Sequence, residues 1–338
     1  MIVRVTVTGG AGYLGSVLCR ELVGRGHEVL AVDSLLYGGG SLSNLEREPR
    51  FRLLVADLRD HAVCERAVRW ADVVVHLAAI VGDPAGDIDP DLTIDTNLHS
   101  THSLAHLCRH NKRKLVYAST CSVYGSAPGR LVSEGHGTEG PVSLYGRTKL
   151  HAEREIQDAG PPGYAILRMG TLFGDSPRRR FDLVANLFMA KAILGETLRV
   201  QGGAQYRPFL HVADAADAYA DAIEQDWGGV LNIASHNIRI DELAQEVSAS
   251  VAPPVRVVFD LSATDPRDYR VDSQRARRLG FSPFRTFEDA VWELQRPEAR
   301  DAVKRYAEAE FSNVRSLEVE YVGTAAAASR TTRMEASV

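Results

Sequence analysis

The chain is poor in several things that would otherwise direct its reading. Among its 338 residues there are four cysteines, four methionines and three tryptophans, and aromatic residues make up 7%. Cys19, Cys64, Cys108 and Cys121 are scattered with no C-x-x-C pair, so neither a disulfide framework nor a cysteine zinc site is expected. Positive charge is not in excess. Thirty-nine Lys and Arg stand against 44 Asp and Glu, leaving a formal charge of −5, whereas nucleic-acid binding calls for a strongly basic face. No apolar run approaches the ~18 residues that a membrane span requires. The amino terminus reads as a strand, Ile2 to Thr8, and not as a signal peptide. A reduced, cytoplasmic protein is expected, with no nucleic acid and no membrane among its partners.

What is present is an alternation. Apolar runs at Glu28–Val32, Phe51–Val55, Val73–Leu77, Lys114–Ala118 and Tyr164–Arg168 read as strands. Between them, helices are expected over about Tyr13–Arg25, Ala62–Trp70, Thr96–His110 and Tyr145–Asp158. Near-continuous apolar strands separated by helices mean a parallel sheet covered on both faces. Right-handed crossovers make it doubly wound, with ligands at the carboxyl ends of the strands. After Arg168 the rhythm changes to a loop-rich stretch with one amphipathic helix, about 181–195. The expected fold is therefore α/β: a doubly wound parallel (Rossmann) sheet with a smaller, discontinuous substrate-binding lobe. Residues 1–170 with about 204–232 form the cofactor domain, 171–203 and 233–322 the second lobe, and 323–338 a disordered tail.

Gly9, Gly12 and Gly15 follow the first strand and open a helix, the context that raises a G-x-x-G-x-x-G spacing above chance. Glycines let backbone approach a pyrophosphate, while the helix end at Tyr13 and Leu14 supplies N–H donors and positive dipole. Asp33 ends the second strand, where a carboxylate can accept both adenine-ribose hydroxyls and would repel a 2′-phosphate; NAD is favoured over NADP. Asp57-Leu58 follows the third strand and Leu77-Ala78-Ala79 closes the fourth, with Asp57 either an adenine contact or a loop cap. Further on, Tyr145 and Lys149 are one helical turn apart and share a face. A phenol is a poor base near pH 7, and an ammonium beside it favours the phenolate. Tyr145 could then take the proton of a sugar hydroxyl while hydride leaves the same carbon, with Lys149 also bonding the nicotinamide ribose.

The segment Ala118-Ser-Thr-Cys-Ser-Val-Tyr-Gly125, taken with the glycine loop and the Tyr/Lys pair, resembles the extended short-chain dehydrogenase/reductases of the nucleotide-sugar epimerase and dehydratase group. Similarity continues through Leu167-Arg-Met-Gly-Thr-Leu-Phe-Gly174 and Arg207-Pro-Phe-Leu-His-Val-Ala-Asp214, and covers roughly residues 2–295. The resemblance implies an NAD-dependent enzyme acting on a nucleotide-diphosphate sugar. It makes Thr120 the third catalytic residue, bonding the sugar oxygen. It also makes Arg207 the grip on the diphosphate, with Arg267 a candidate second clamp. Helices near 97–111 and 144–158 pair with their copies in this family, which implies a homodimer.

Departures from the family pattern sharpen this reading. Hexose 4,6-dehydratases resemble the segment but carry Asp-Glu where this chain has Cys121-Ser122, so elimination of water lacks its acid and base. The Cys121 thiol is either a substitute acid/base or a small buried residue. Thr171 stands where 4-epimerases often carry Asn, and the loop containing Val81, which would face the sugar, matches neither group. The expectation is an epimerase that oxidises a ring carbon transiently, C4 first among the choices, and returns the hydride. The alternatives are a net reductase of a 4-keto nucleotide sugar, a dehydratase using Cys121, and a non-catalytic NAD sensor. His99, His102, His106 and His110 form a stripe on one helix with no carboxylate or cysteine to complete a metal site, so no metal is expected.

Overall fold

The computed structural model describes residues 2–320, apart from 138–139, 226, 261, 263–264 and 266; the expected tail, 323–338, lies outside the described residues. Seven strands make the central sheet: β1 (Arg4–Thr8), β2 (Glu28–Asp33), β3 (Phe51–Val55), β4 (Val73–His76), β5 (Lys114–Thr120), β6 (Ala165–Met169) and β7 (Gly229–Ile233). They are ordered β7-β6-β5-β4-β1-β2-β3, and every pairing is parallel. Six helices frame the sheet and the site: α1 (Tyr13–Gly24), α2 (His61–Trp70), α3 (Ser100–His110), α4 (Leu144–Ala159), α5 (Val184–Ile193) and α6 (Val212–Glu224).

Both sheet faces are covered, as continuous apolar strands require. On one face Val5, Val7 and Val75 pack with Leu18 and Leu22 of α1 and Tyr219 of α6. On the other, Val74, Leu115 and Ile166 meet Val68, Leu104 and Ile156 from α2, α3 and α4. The chain runs outward from β1 to β3 and then crosses back to β4. The carboxyl ends of β1 and β4 therefore flank the point where strand order reverses, the usual site of a ligand crevice.

The helix expected over Thr96–His110 is not regular. A single wider π turn spans Asp95–His99 before α3 begins. Within it Asn97 is fully buried, and its amide accepts from Ile80 N at 2.8 Å and donates to Ile80 O at 3.0 Å. A wide turn of this kind recurs at functional sites because it redirects one side chain without ending the helix.

A second layer begins after β6. Tyr206–His211 pairs in parallel with Thr171–Phe173 and antiparallel with His236–Arg239, forming a separate three-stranded sheet. Its core is aromatic. The Phe173 ring centroid lies 4.4 Å from that of Phe287, and Phe209 lies 5.6 Å from it. Helix α5, expected over 181–195, starts later because Leu183 is still extended and Arg180 and Asp182 are tied to each other ahead of it.

Candidate active site

A cleft of about 1060 Å³ opens at the carboxyl ends of β1, β2, β4 and β5, under the second layer. That is at the upper end for a small-molecule site and leaves room for a dinucleotide and a second ligand. Its floor is the glycine loop. A Cβ on Gly9 would sit 2.7 Å from Ala78 N, and one on Gly15 would sit 2.0 Å from Gly9 O, so no larger residue closes this turn. Gly12 is the N-cap of α1 and offers no side chain to the first-turn N–H groups, which leaves them to a ligand. The turn therefore fits a pyrophosphate on observations independent of its spacing.

Asp33 lines the cleft with one carboxylate oxygen held by Ala11 N (2.9 Å) and the other by Leu35 N (2.8 Å). Burial raises its pKa and those two backbone bonds oppose the rise. Leu35 adopts φ +59°, a left-handed conformation uncommon outside glycine and characteristic of loops shaped around a ligand. Tyr13 and Leu14 line the cleft, and the Tyr13 hydroxyl donates to Gly174 O at 2.6 Å, which pins the second layer to the start of α1. Leu58, Leu77, Ala78 and Ala79 line it as well. Asp57 also lines it, but its carboxylate is engaged by Arg59 at 2.6 Å and 2.9 Å, which holds its pKa below the usual carboxylate range.

Thr120 at the end of β5 and Tyr145 and Lys149 on α4 converge on the same cleft. Tyr145 is in the first turn of a helix that Ser143 caps by accepting from Gly146 N at 3.1 Å. Burial raises the Tyr145 pKa, and a hydrogen bond with the Thr120 side chain opposes it. Lys149 is 2% exposed and donates to Ala118 O at 2.9 Å, with its nitrogen 4.7 Å from the Tyr117 ring centroid. Burial lowers its pKa to about 7, against the opposing field of Glu153. The polar partner of the phenol in this structure is therefore Thr120. The Lys149 side chain is directed to the end of β5, where it bonds Ala118 O.

Of the residues expected to meet substrate, Val81, Ser122, Thr171 and Arg267 line the cleft. Arg267 is held by Asp265 at 2.9 Å and by Asp83 at 2.6 Å. Cys121 does not line the cleft. It is 1% exposed, its thiol donates to Arg168 O at 3.3 Å, and burial pushes its pKa far up, so it is a small core residue and not an acid/base in reach of substrate. Arg207 is also outside the lining; it is paired with Asp265 at 2.6 Å behind Arg267, with its guanidinium 5.5 Å from the Tyr269 ring. The sequence reading missed Tyr37, Asp83, Asn97, Arg178 and Arg180; four of these line the cleft, and Asn97 shapes the loop before it. Three consecutive arginines at 178–180 in a loop-rich stretch were the available signal.

The histidine stripe also needs revising. Glu155 on α4 accepts from or shares a proton with His102 Nδ1 at 2.6 Å, and ligand atoms of His102, His106 and Glu155 lie within 4.8 Å of one another, so a carboxylate does stand beside the pair. No helix among the described residues is long and apolar enough to cross a membrane.

The sequence model of the NAD dependent epimerase/dehydratase family matches residues 5–234. A UDP-N-acetyl-alpha-D-glucosaminuronate decarboxylase of Bacillus cytotoxicus is 32% identical over 262 residues, covering 72% of this chain and 79% of that protein. UDP-glucuronic acid decarboxylase 6 of Arabidopsis thaliana is 30% identical over 295 residues, covering 83% of this chain and 84% of its own. Among solved structures, the UDP-glucuronic acid 4-epimerase from Bacillus cereus, in complex with UDP-glucuronic acid and NAD, aligns with a TM-score of 0.77 at 26% identity over 89% of this chain and 99% of that one.

Proposed function

The chain belongs to the NAD dependent epimerase/dehydratase family and is an NAD-dependent enzyme of the nucleotide-sugar type; within that family we propose that it epimerises a nucleotide-diphosphate sugar at C4. The observation that carries this reading is the convergence of Thr120, Tyr145 and Lys149 on the cleft floored by the glycine loop. NAD, when bound, would supply the acceptor and donor of the hydride, so that the overall reaction would carry no net redox change. Gly9, Gly12 and Gly15 let its pyrophosphate approach the start of α1, and Asp33 takes the adenine ribose. Tyr145 accepts the proton of the ring hydroxyl and returns it to the alkoxide. Thr120 hydrogen-bonds the same oxygen as charge develops on it. Lys149, one turn along α4, favours the ionised phenol while it carries its own proton.

Within this scheme Val81, Ser122 and Thr171 face the sugar and Arg267 takes the diphosphate; Arg207 acts behind it, holding Asp265. The seat for the sugar nucleotide lies between the seven-stranded sheet and the second layer formed by Thr171–Phe173, Tyr206–His211 and His236–Arg239. A dehydratase reading loses support because the Cys121 thiol is turned into the core. A sensor has no use for an assembled Thr/Tyr/Lys set. We also propose a cytoplasmic homodimer formed through the outer faces of α3 and α4.

One second reading has a specific observation behind it, the decarboxylases among the relatives. If the substrate is a uronic acid, its C4 ketone is β to the C6 carboxylate, and a β-keto acid loses CO2 readily. The two readings share every step up to the ketone. Incubating the purified protein with UDP-glucuronic acid and no added NAD, followed by proton NMR, separates them. A C4 epimer of unchanged mass supports epimerisation, whereas a UDP-pentose with released CO2 supports decarboxylation. No change in UDP-glucuronic acid, together with reduction of a 4-keto nucleotide sugar at the cost of one NADH per turnover, would instead make the enzyme a net reductase.

A further inference from the structure

Arg178 is 6% exposed and lines the cleft, yet two of its guanidinium nitrogens, Nε and Nη2, have no hydrogen-bond partner. Orphaned buried donors are rare, and a buried cation without a counter-ion is costly. Its acidic neighbours are already engaged. Asp182 is bound by Arg180 at 2.8 Å and 3.0 Å and by Asn313 N at 3.0 Å, while both oxygens of Asp33 are taken by backbone N–H groups. The guanidinium is held in place from below by Tyr37, whose ring centroid is 4.7 Å away and whose own hydroxyl is also buried without a partner. Burial and the neighbouring Arg180 lower its pKa to about 10, which still leaves it charged at neutral pH.

We propose that Arg178, reaching across the cleft from the second layer, and Tyr37, in the loop after β2, form an anion subsite for the diphosphate of the dinucleotide. The placement selects this phosphate over others. Arg178 lies close enough to Asp33 for its charge to act on that carboxylate, and Asp33 is fastened to Ala11 of the glycine loop, over which a pyrophosphate lies. Arg267, by contrast, sits beside Asp83 and Asp265 on the side given to the sugar nucleotide. A guanidinium fork suits a phosphate because it can bind two oxygens at once, and the phenol adds a third donor. The subsite supplies the positive charge that the glycine loop lacks, since its own donors are backbone N–H groups. It rests on NAD occupying this cleft.

Calorimetric titration of protein freed of nucleotide tests it, with NAD, ADP, adenosine and UDP as probes. The Arg178→Gln variant is expected to weaken NAD and ADP by about 10- to 100-fold, as loss of a charge-assisted pair does, and to leave adenosine and UDP within about twofold. Arg178→Lys should recover part of the loss, and Arg179→Gln, whose partner is Asp175, should change nothing. ADP binding within twofold of the parent would overturn the inference. So would an equal loss of adenosine, which would make Arg178 a prop for Asp33, or a selective loss of UDP, which would move the subsite to the substrate side. A parent that binds no NAD would overturn the cofactor seat itself and not Arg178 alone. Should Arg178→Gln fold poorly, Tyr37→Phe gives the same ordering of ligands with a smaller loss.

Discussion

Glu153 and Arg168, both almost wholly buried, meet at 2.6 Å beneath the end of β5. The carboxylate also receives the Ser119 hydroxyl, and the guanidinium reaches the Tyr124 hydroxyl at 2.9 Å, which passes on to Asn232 at 2.7 Å. Glu153 is one turn from Lys149 on α4 and is the charge that resists the depression of the lysine's pKa. Glu153→Gln should therefore do two things. Leaving Arg168 buried and unpaired costs about 3–5 kcal/mol in chemical denaturation, and the Lys149 titration moves below about 7. A variant as stable as the parent, with an unchanged pH–rate limb, would contradict both.

Tyr145→Phe should lose roughly 10²–10⁴-fold in turnover while NAD affinity stays within a few-fold, because the phenol's proposed work is proton transfer and not cofactor binding. Turnover within threefold of the parent would remove Tyr145 from the mechanism.

Lys149 carries a testable conflict between stability and activity. Its folded pKa is lowered to about 7 from 10.5, so between those values the unfolded chain binds a proton that the folded chain does not. Stability from this group rises as pH rises from about 7 to 10.5 and is at its least below pH 7. Lys149→Met should melt no lower than the parent at pH 7, with any advantage fading toward pH 10.5, and should be nearly inactive. Melting curves across that range decide it; a variant markedly less stable at pH 7 would mean that the bond to Ala118 outweighs the cost of the buried charge.

Two glycines of α1 should respond in opposite ways. Gly15→Ala forces a Cβ to within 2.0 Å of Gly9 O, and NAD binding should fail together with a drop in melting temperature. Gly24→Ala meets nothing within 4 Å and should stabilise the helix by about 0.5–1 kcal/mol. Equal effects would contradict the tight loop.

Light scattering at micromolar concentration should report a dimer. A species of about 37 kDa alone would count against the α3/α4 interface. The exposed pair of His102 and Glu155 gives a local probe, since His102→Glu sets two carboxylates side by side and should weaken any seam that passes there.

Local spacing explains what was legible in the sequence. The glycine loop, Asp33 and the Tyr145/Lys149 pair each depend on one turn or one helix face, so residue order alone fixes where they point. Arg178 could not be found this way, because its role depends on which carboxylates its neighbours have already taken. Cys121 adjoins Ser122, which does line the cleft, but sequence adjacency says nothing of which side of a short 3₁₀ turn faces the core. Arg207 was displaced from the lining by Arg267, which lies in front of it and shares Asp265. The π turn at Asp95–His99 was invisible to a 3.6-residue period that continues on either side of it.

The order of the central sheet also sets a schedule for synthesis. Strand β6, apolar and destined to lie between two neighbours, is finished at Met169, but the strand that covers its outer edge ends only at Ile233. At about 5–20 residues per second, a ribosome takes roughly 3–13 s to make the intervening chain. For that interval the emerging protein carries an open, hydrophobic edge able to pair with any other strand it meets. Arg178 emerges early in the same interval. The nascent chain thus completes the glycine loop, Asp33 and the helix of Tyr145 and Lys149 before its sheet is sealed.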